Sequence, residues 1–322
     1  GGRNFMTRAG TVAALPKKKA KRQALKRQMK KYKWFYLIML PGILYFIIYK
    51  YVPMWGLLMA FQDYMPNAGI MGSEWVGLKH FIKFFSSDKF PMLFRNTLII
   101  SLGTLIFSFP MPIILSLMLN EVKHNIYKRG IQTVLYLPHF LSAVVVCSLA
   151  YVMFSTEDGV IGQMIYNLTG EKWNVLMNPD TYYGLYIGTG VWQTAGWGTI
   201  IYLAALAGVD VQMYEAAMIE GANRWQRMWY ITLPSILPLI MVNLVLQLGN
   251  MFDVGVEKTL LLSNAMNRDV AEVFDSYVYN RGVISGEYSF STAVGLFKST
   301  VGIILVLGAN WLSKKVSDEA IY

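Results

Sequence analysis

Long stretches without Asp, Glu, Lys or Arg constrain this chain more than any other feature of its sequence. A helix that crosses a lipid bilayer needs about 20 mostly apolar residues, and four of the stretches are at least that long. A fifth is shorter but continues beyond Lys50, and a sixth contains one charge, Lys298. The sequence therefore predicts an all-α membrane protein with six transmembrane helices, at residues 34–62, 97–119, 131–154, 181–209, 228–252 and 288–313.

The distribution of Lys and Arg predicts the direction in which the chain crosses the membrane. Residues 1–33 contain 12 basic residues and no acidic residue, which accounts for the formal net charge of +10. If this segment is cytoplasmic, 19 Lys and Arg lie inside and 8 lie in the outer loops, as the positive-inside rule expects. We predict a basic cytoplasmic tail at 1–33, a six-span domain at 34–313 and a cytoplasmic C-terminal tail at 314–322.

The basic tail at 1–33 is expected to contact membrane lipid rather than nucleic acid. It directly precedes a predicted span, and between Pro16 and Lys33 it offers one aromatic residue, Tyr32, for stacking on bases. Basic clusters beside a span are typical of segments that bind anionic lipid headgroups. We therefore predict no nucleic-acid partner.

Residue types that perform chemistry are scarce in this sequence. One cysteine, Cys147, and three histidines leave few metal ligands, and no Gly-x-x-x-x-Gly-Lys-Ser/Thr nucleotide loop occurs. We predict no catalytic residue, no metal site and no cofactor in this chain. Two other classes stay open here. An intramembrane lipid-linked transferase needs an acid and a base at membrane depth, and an ion-driven secondary transporter usually has carboxylates in its spans, whereas the first five spans contain neither Asp nor Glu.

Residues 210–234, on the predicted cytoplasmic side, carry a specific motif. A short helix is predicted at 211–220, and Gly221 can end it because glycine accepts a left-handed backbone. Pro234 suits the first turn of the following span. The motif itself is Glu-Ala-Ala, three residues, Gly, nine residues, Ile, one residue, Leu-Pro, formed by Glu215, Ala216, Ala217, Gly221, Ile231, Leu233 and Pro234.

This motif resembles the EAA loop of binding-protein-dependent ABC importer permeases at every position. Further segments resemble the LplB-like permeases of oligosaccharide importers, at residues 40–42, 61–64, 75–78, 135–138, 249–250 and 295–299. The resemblance implies the type I ABC importer permease fold in a bacterial cell membrane. It also implies an oligosaccharide substrate, an extracellular solute-binding lipoprotein, a second and different permease subunit, and two ATPase subunits that bind ATP and Mg.

The resemblance further implies that the EAA helix couples this chain to the ATPase subunits. The coupling residues implied in this way are Tyr214, Glu215, Ala216, Ala217, Met218, Gly221 and Ala222.

Amide and aromatic side chains within the spans predict the substrate pathway. Sugar hydroxyls need polar partners and sugar rings stack on aromatics, while an amide facing lipid is costly. Hydrogen bonds between neighbouring helices are an equal alternative for any single amide. For Lys298 the alternatives are a side chain that snorkels to the membrane surface and an ion pair with an acid at the subunit interface. The predicted pathway residues are Trp192, Gln193 and Trp197 in the fourth span, Asn243, Gln247 and Asn250 in the fifth, and Lys298 in the sixth.

Overall fold

The computed structural model describes residue 28 and residues 30–317, with the backbone alone for 312–317. Most of the predicted basic tail at 1–33 and the end of the tail at 314–322 therefore lie outside the described residues. The chain divides into two compact units, residues 1–57 and residues 58–322.

The described part of the first unit is an apolar helical run. Helix α1 spans Lys33–Phe46 with Pro41 inside it, a π-helical turn follows at Ile47–Tyr51, and a 3-10 helix begins at Val52. Large apolar side chains from Trp34 to Trp55 are exposed, as expected of a helix that faces lipid. The run is long and apolar enough to cross a membrane.

The second unit opens with a small β-ribbon, which the all-α prediction omitted. Strand β1, Gln62–Asp63, pairs antiparallel with β2, Glu74–Trp75. Strands of two residues are too short to show a periodic pattern in a sequence. The helices of this unit are α2 Gly69–Gly72, α3 Lys79–Phe85, α4 Lys89–Ser108, α5 Pro110–Asn120, α6 Asn125–Tyr136, α7 Ala143–Phe154, α8 Val160–Thr169, α9 Pro179–Leu206, α10 Val211–Ile219, α11 Arg224–Arg227, α12 Leu233–Gly249, α13 Val256–Leu262, α14 Arg268–Ala271, α15 Phe274–Val278 and α16 Tyr288–Ser317.

The described residues contain four helical runs that can cross a membrane, or six if each of two bent pairs counts as one span. The four are Lys33–Phe61, Lys89–Asn120, Arg224–Gly249 and Tyr288–Trp311. The bent pairs are Asn125–Phe140 with Ala143–Phe154, and Pro179–Leu206 with Val211–Ile219. These runs correspond in order to the six stretches predicted from the sequence.

The predicted span at 131–154 is not a single helix. Helix α6 passes into a 3-10 turn at Leu137–Phe140, and α7 then leaves at 103° to that segment. Pro138 lacks the backbone donor that would continue the helix. Ser142 starts the new helix, because its hydroxyl accepts a hydrogen bond from the Val145 N–H at 3.4 Å.

Helix α9 lies at the centre of the second unit, in contact with α4, α5, α6, α7 and α12. Glycines along it permit these close approaches, as small residues do in membrane helix pairs. A Cβ at Gly198 would come within 2.7 Å of the Pro112 ring, and a Cβ at Gly196 would overlap the Leu135 carbonyl oxygen. In contrast, a Cβ at Gly184 in the same helix would meet nothing within 4 Å.

We predict that Gly196→Ala destabilises the protein because the added methyl must displace backbone. Overpacking of this kind typically costs about 1–3 kcal/mol. The matched change Gly184→Ala should be neutral or slightly stabilising, since alanine favours a helix by up to about 1 kcal/mol over glycine. The measurement is the melting temperature of the detergent-purified variants. Equal melting temperatures for the two variants would contradict the close contact between α9 and α6.

Candidate functional site

The short helix α10 begins and ends with defined caps. The Asp210 carboxylate accepts a hydrogen bond from the Gln212 N–H at 2.9 Å and so caps the first turn. The helix ends at Ile219, one residue before the predicted end, with Glu220 as its cap. Its axis makes an angle of 77° with α9. The sequence therefore turns sharply after the fourth span and presents a separate short helix.

Gly221 terminates this helix as predicted. It adopts a φ of +80°, which favours glycine. The Gly221 N–H donates to the Met218 carbonyl at 3.1 Å, and the Ala222 N–H donates to the Ala217 carbonyl at 2.9 Å. These two bonds form a Schellman motif, which satisfies carbonyls that would otherwise lack partners at the helix end.

One hydrogen bond connects the short helix directly to the fifth span. The Tyr214 hydroxyl lies 3.0 Å from the Thr232 hydroxyl, and Thr232 is buried. Thr232 ends a π-helical turn, Met228–Thr232, that leads straight into α12, where Pro234 lies in the first turn as predicted. The short helix is therefore in direct contact with the turn that starts α12.

Much of the short helix is exposed. Glu215, Ala216, Met218 and Gly221 are exposed, whereas Tyr214, Ala217 and Ala222 are half-buried. Two large apolar side chains at its ends, Val211 and Ile219, have 64% and 88% of their surface exposed. The helix thus presents a short apolar and acidic surface at one end of the bundle.

Six of the seven predicted pathway residues line three cavities that share lining residues. A cavity of about 460 Å³ is bordered by Gln193, Gln247 and Asn250. A second, of about 410 Å³, is bordered by Trp197, Asn243, Gln247 and Asn250, and a third, of about 400 Å³, by Asn250 and Lys298. Asn250, the residue that caps the end of α12, borders all three, so Asn243 and Gln247 of α12 and Asn250 form a row of amides along them. Trp192 instead lies in an apolar groove beside Val146 and Met153.

Several of these polar side chains also hold the helices together. The Gln193 amide donates to the Leu141 carbonyl at 2.8 Å, which lies at the break between α6 and α7. Trp197 stacks on the His139 ring with centroids 4.5 Å apart. The Asn243 amide nitrogen is buried without a hydrogen-bond partner among the described residues. Gln193 therefore makes a hydrogen bond between helices and also borders a cavity, while the Asn243 amide nitrogen retains an unused donor.

Lys298 forms ion pairs with two carboxylates. Its ammonium contacts Asp275, which is also nearly buried, and lies 3.0 Å from Asp253. The other Asp275 oxygen accepts the backbone N–H groups of Val254 and Gly255 at 2.9 and 3.2 Å. Lys298 thus forms its ion pairs within this chain rather than with an acid at a subunit interface, and it also borders a cavity. The pairs join the end of the fifth span, the following loop and the sixth span.

A second lysine, Lys258, borders the largest of these cavities and was not predicted. It lies in α13, and its ammonium donates to the Tyr186 carbonyl at 2.6 Å. Nothing in the sequence indicates this position, because residues 253–287 are predicted to be an outer loop. The ammonium reaches the cavity because α13 packs against α7 and the Lys258 side chain extends to Tyr186 of α9.

A further charged cluster lies at the β-ribbon. Asp63 pairs with Lys79 at 2.5 Å and with His80 at 3.0 Å. The hydrogen bond from Lys79 holds the pKa of Asp63 below its usual range. Within the described residues, no group of three or more His, Cys, Asp or Glu side chains is arranged to hold a metal ion.

Comparisons with known proteins identify the chains that this one resembles. Residues 108–318 match the family described as binding-protein-dependent transport system inner membrane component. The chain is 50% identical to the polygalacturonan/rhamnogalacturonan transport system permease protein YteP of Bacillus subtilis (strain 168), over 98% of both chains. It is 49% identical to protein LplB of the same strain, over 91% of this chain and 92% of that protein.

A solved structure has the same fold. A chain in the crystal structure of a bacterial alginate ABC transporter, in complex with alginate pentasaccharide-bound periplasmic protein, superposes with a TM-score of 0.84. The two sequences are 37% identical, and the match covers 92% of this chain and 99% of the other.

Proposed function

The chain belongs to the family of binding-protein-dependent transport system inner membrane components, and on this premise we propose that it forms one half of an ATP-driven pore for an acidic oligosaccharide. It is a multi-pass membrane protein with the type I ABC importer permease fold, and it is a transport permease rather than an enzyme. The relatives are transport system permeases, which supports the importer permease over the two alternatives, the transferase and the ion-driven transporter.

The partners follow from the family and from the exposed short helix. An ABC importer of this family works with a solute-binding protein. We propose that this protein is an extracellular lipoprotein, and that a second, different permease subunit completes the pore. Two ATPase subunits, which bind ATP and Mg, would supply the energy. We propose that one ATPase subunit binds the exposed residues of α10.

We propose that both termini and α10 lie in the cytoplasm. The excess of Lys and Arg on that side supports this orientation. The β-ribbon and the loop at 253–287 would then face outward, where the binding protein releases its sugar.

The hydrogen bond between Tyr214 and Thr232 is the observation that carries the coupling role. Closure of the ATPase subunits would move α10, and this contact would transmit the motion to the start of α12. Because α12 also carries Asn243 and Gln247 and is followed directly by Asn250, the same motion would reshape the cavity wall. Alternating access would thus follow because α12 connects the ATPase-binding helix α10 with the substrate pathway.

The proposed substrate rests on the substrates named for the relatives and on the amide side chains that border the cavities. YteP is named for polygalacturonan and rhamnogalacturonan, and the matching structure is of an importer of the acidic polysaccharide alginate. Polygalacturonan is a chain of sugars that bear carboxylates. We therefore propose an oligosaccharide with acidic units, which the amides of α12 would contact through its hydroxyls.

Gly221 tests the coupling role. Valine cannot easily adopt a φ of +80°, whereas asparagine tolerates this backbone region. We predict that Gly221→Val lowers oligosaccharide uptake roughly tenfold and weakens co-purification of the ATPase subunits, since left-handed strain of about 1–2 kcal/mol disturbs the end of α10. Gly221→Asn should retain most of both. Normal uptake by a normally inserted Gly221→Val protein would leave the coupling role without support.

Gln247 tests the pathway, because it borders two of the cavities. We predict that Gln247→Leu lowers oligosaccharide uptake roughly fivefold to tenfold, since one hydrogen-bonding partner of the sugar is lost. Membrane insertion and ATPase binding should be unchanged. The control is Gln163→Leu, the same chemical change at an exposed position in α8. Equal uptake by both variants would place the pathway elsewhere.

A further inference from the structure

Lys258 borders the largest cavity as a cation without a carboxylate partner. Among the residues that the structure describes, no Asp or Glu lies within ion-pair distance of its ammonium. The ammonium donates to the Tyr186 carbonyl at 2.6 Å and lies 4.4 Å from the centre of the Tyr186 ring. An ammonium has three donors, so this arrangement fixes its position and leaves donors for a ligand.

The neighbouring helix makes room for this ammonium. A Cβ at Gly190 in α9 would lie only 3.1 Å from the Lys258 nitrogen. The absence of a side chain at Gly190 lets the ammonium rest against the α9 backbone while it borders the same cavity as Gln193 and Thr194. The cation therefore lies next to amide and hydroxyl groups of the kind that bind sugar hydroxyls.

Lys258 remains largely charged at neutral pH. Burial lowers the pKa of Lys258 to about 8, which still lies above 7. A partly buried ammonium loses hydration free energy, and without a counter-ion this loss is not fully offset. A carboxylate from a ligand would offset it.

The two lysines at the cavities differ in availability. Lys298 is engaged by Asp253 and Asp275, so its charge is already neutralised. Asp253 also borders the cavity of Lys258, but its carboxylate lies 3.0 Å from the Lys298 ammonium. The ion pair with Lys298 lowers the repulsion that Asp253 would exert on an acidic ligand, and the Lys258 ammonium opposes the one negative charge that remains on the cluster of Lys298 with Asp253 and Asp275. Lys258 is thus the cation in these cavity walls that can accept a new anion.

We infer that Lys258 is the group in the pathway that binds the carboxylate of an acidic sugar unit, with the amides of α12 holding the adjacent hydroxyls. The inference rests on the proposed function and adds a residue-level site for the acidic group. It makes the pore itself selective for charge, separately from the binding protein.

The test measures binding to the importer without its binding protein. The complete permease and ATPase assembly is reconstituted in lipid nanodiscs, and the probes are a galacturonate trisaccharide and the same trisaccharide with its carboxylates methyl-esterified. The two probes share their rings and differ in charge. We expect the wild-type assembly to bind the acidic probe more tightly than the ester.

Substitution of Lys258 should remove this preference selectively. Lys258→Met should weaken binding of the acidic trisaccharide roughly tenfold, the usual effect of losing one charged hydrogen bond, and leave binding of the ester unchanged. Lys258→Arg should retain most of the preference because it keeps the cation. Lys83→Met, which removes a lysine paired with Glu287 away from the largest cavity, should change neither affinity. If Lys258→Met fails to assemble, Lys258→Gln is measured in its place.

Three results would overturn the inference. Equal weakening of both probes by Lys258→Met would assign Lys258 to packing alone. An unchanged affinity for the acidic probe would show that Lys258 does not contact it. A wild-type assembly that binds the ester as tightly as the acid would remove the charge-selective site but leave an oligosaccharide importer. If the wild type binds neither trisaccharide and takes up no oligosaccharide, the proposed function falls as well.

Discussion

A lipid bilayer offers no hydrogen-bond partners, and the arrangement of this chain follows from that constraint. Where the third span breaks after Pro138, the Leu141 carbonyl accepts a bond from Gln193. Where Lys298 interrupts the sixth span, Asp275 and Asp253 compensate its charge. Other polar side chains of the spans, such as Gln247 and Asn243, line the cavities. The cavity walls combine side chains that are satisfied within the bundle, such as Gln193 and Lys298, with a polar group that is not, the Asn243 amide nitrogen.

Helix α12 connects the short helix α10 with the cavities of the second unit. At its start, Thr232 contacts Tyr214 of the short helix, and along its length it presents the amide row. Beyond its end, Asp253 pairs with Lys298 of the sixth span. A motion applied at Tyr214 thus has a covalent and hydrogen-bonded route to the opposite end of the cavities. This route is the physical basis of the coupling that we propose.

The sequence predicts those features that depend on composition and local chemistry. Spans are long apolar stretches, so their order was evident, and Gly221 had to end a helix because of its backbone freedom. Features that depend on packing were not predictable. The 103° angle between α6 and α7 depends on where α7 packs. The position of Trp192 away from the three cavities depends on the rotation of α9 about its axis. Lys258 reaches a cavity because Gly190, which has no side chain, faces it.

The orientation of the chain in the membrane decides which end receives sugar and which end meets the ATPase subunits. The most direct measurement is labelling of single cysteines by a membrane-impermeant thiol reagent, in a Cys147→Ser background that removes the sole native cysteine. Glu215 in the short helix and Lys172 in the loop before α9 are both exposed. We predict that Lys172→Cys reacts in intact cells, whereas Glu215→Cys reacts only after the membrane is opened. Reaction of Glu215→Cys in intact cells would contradict the account.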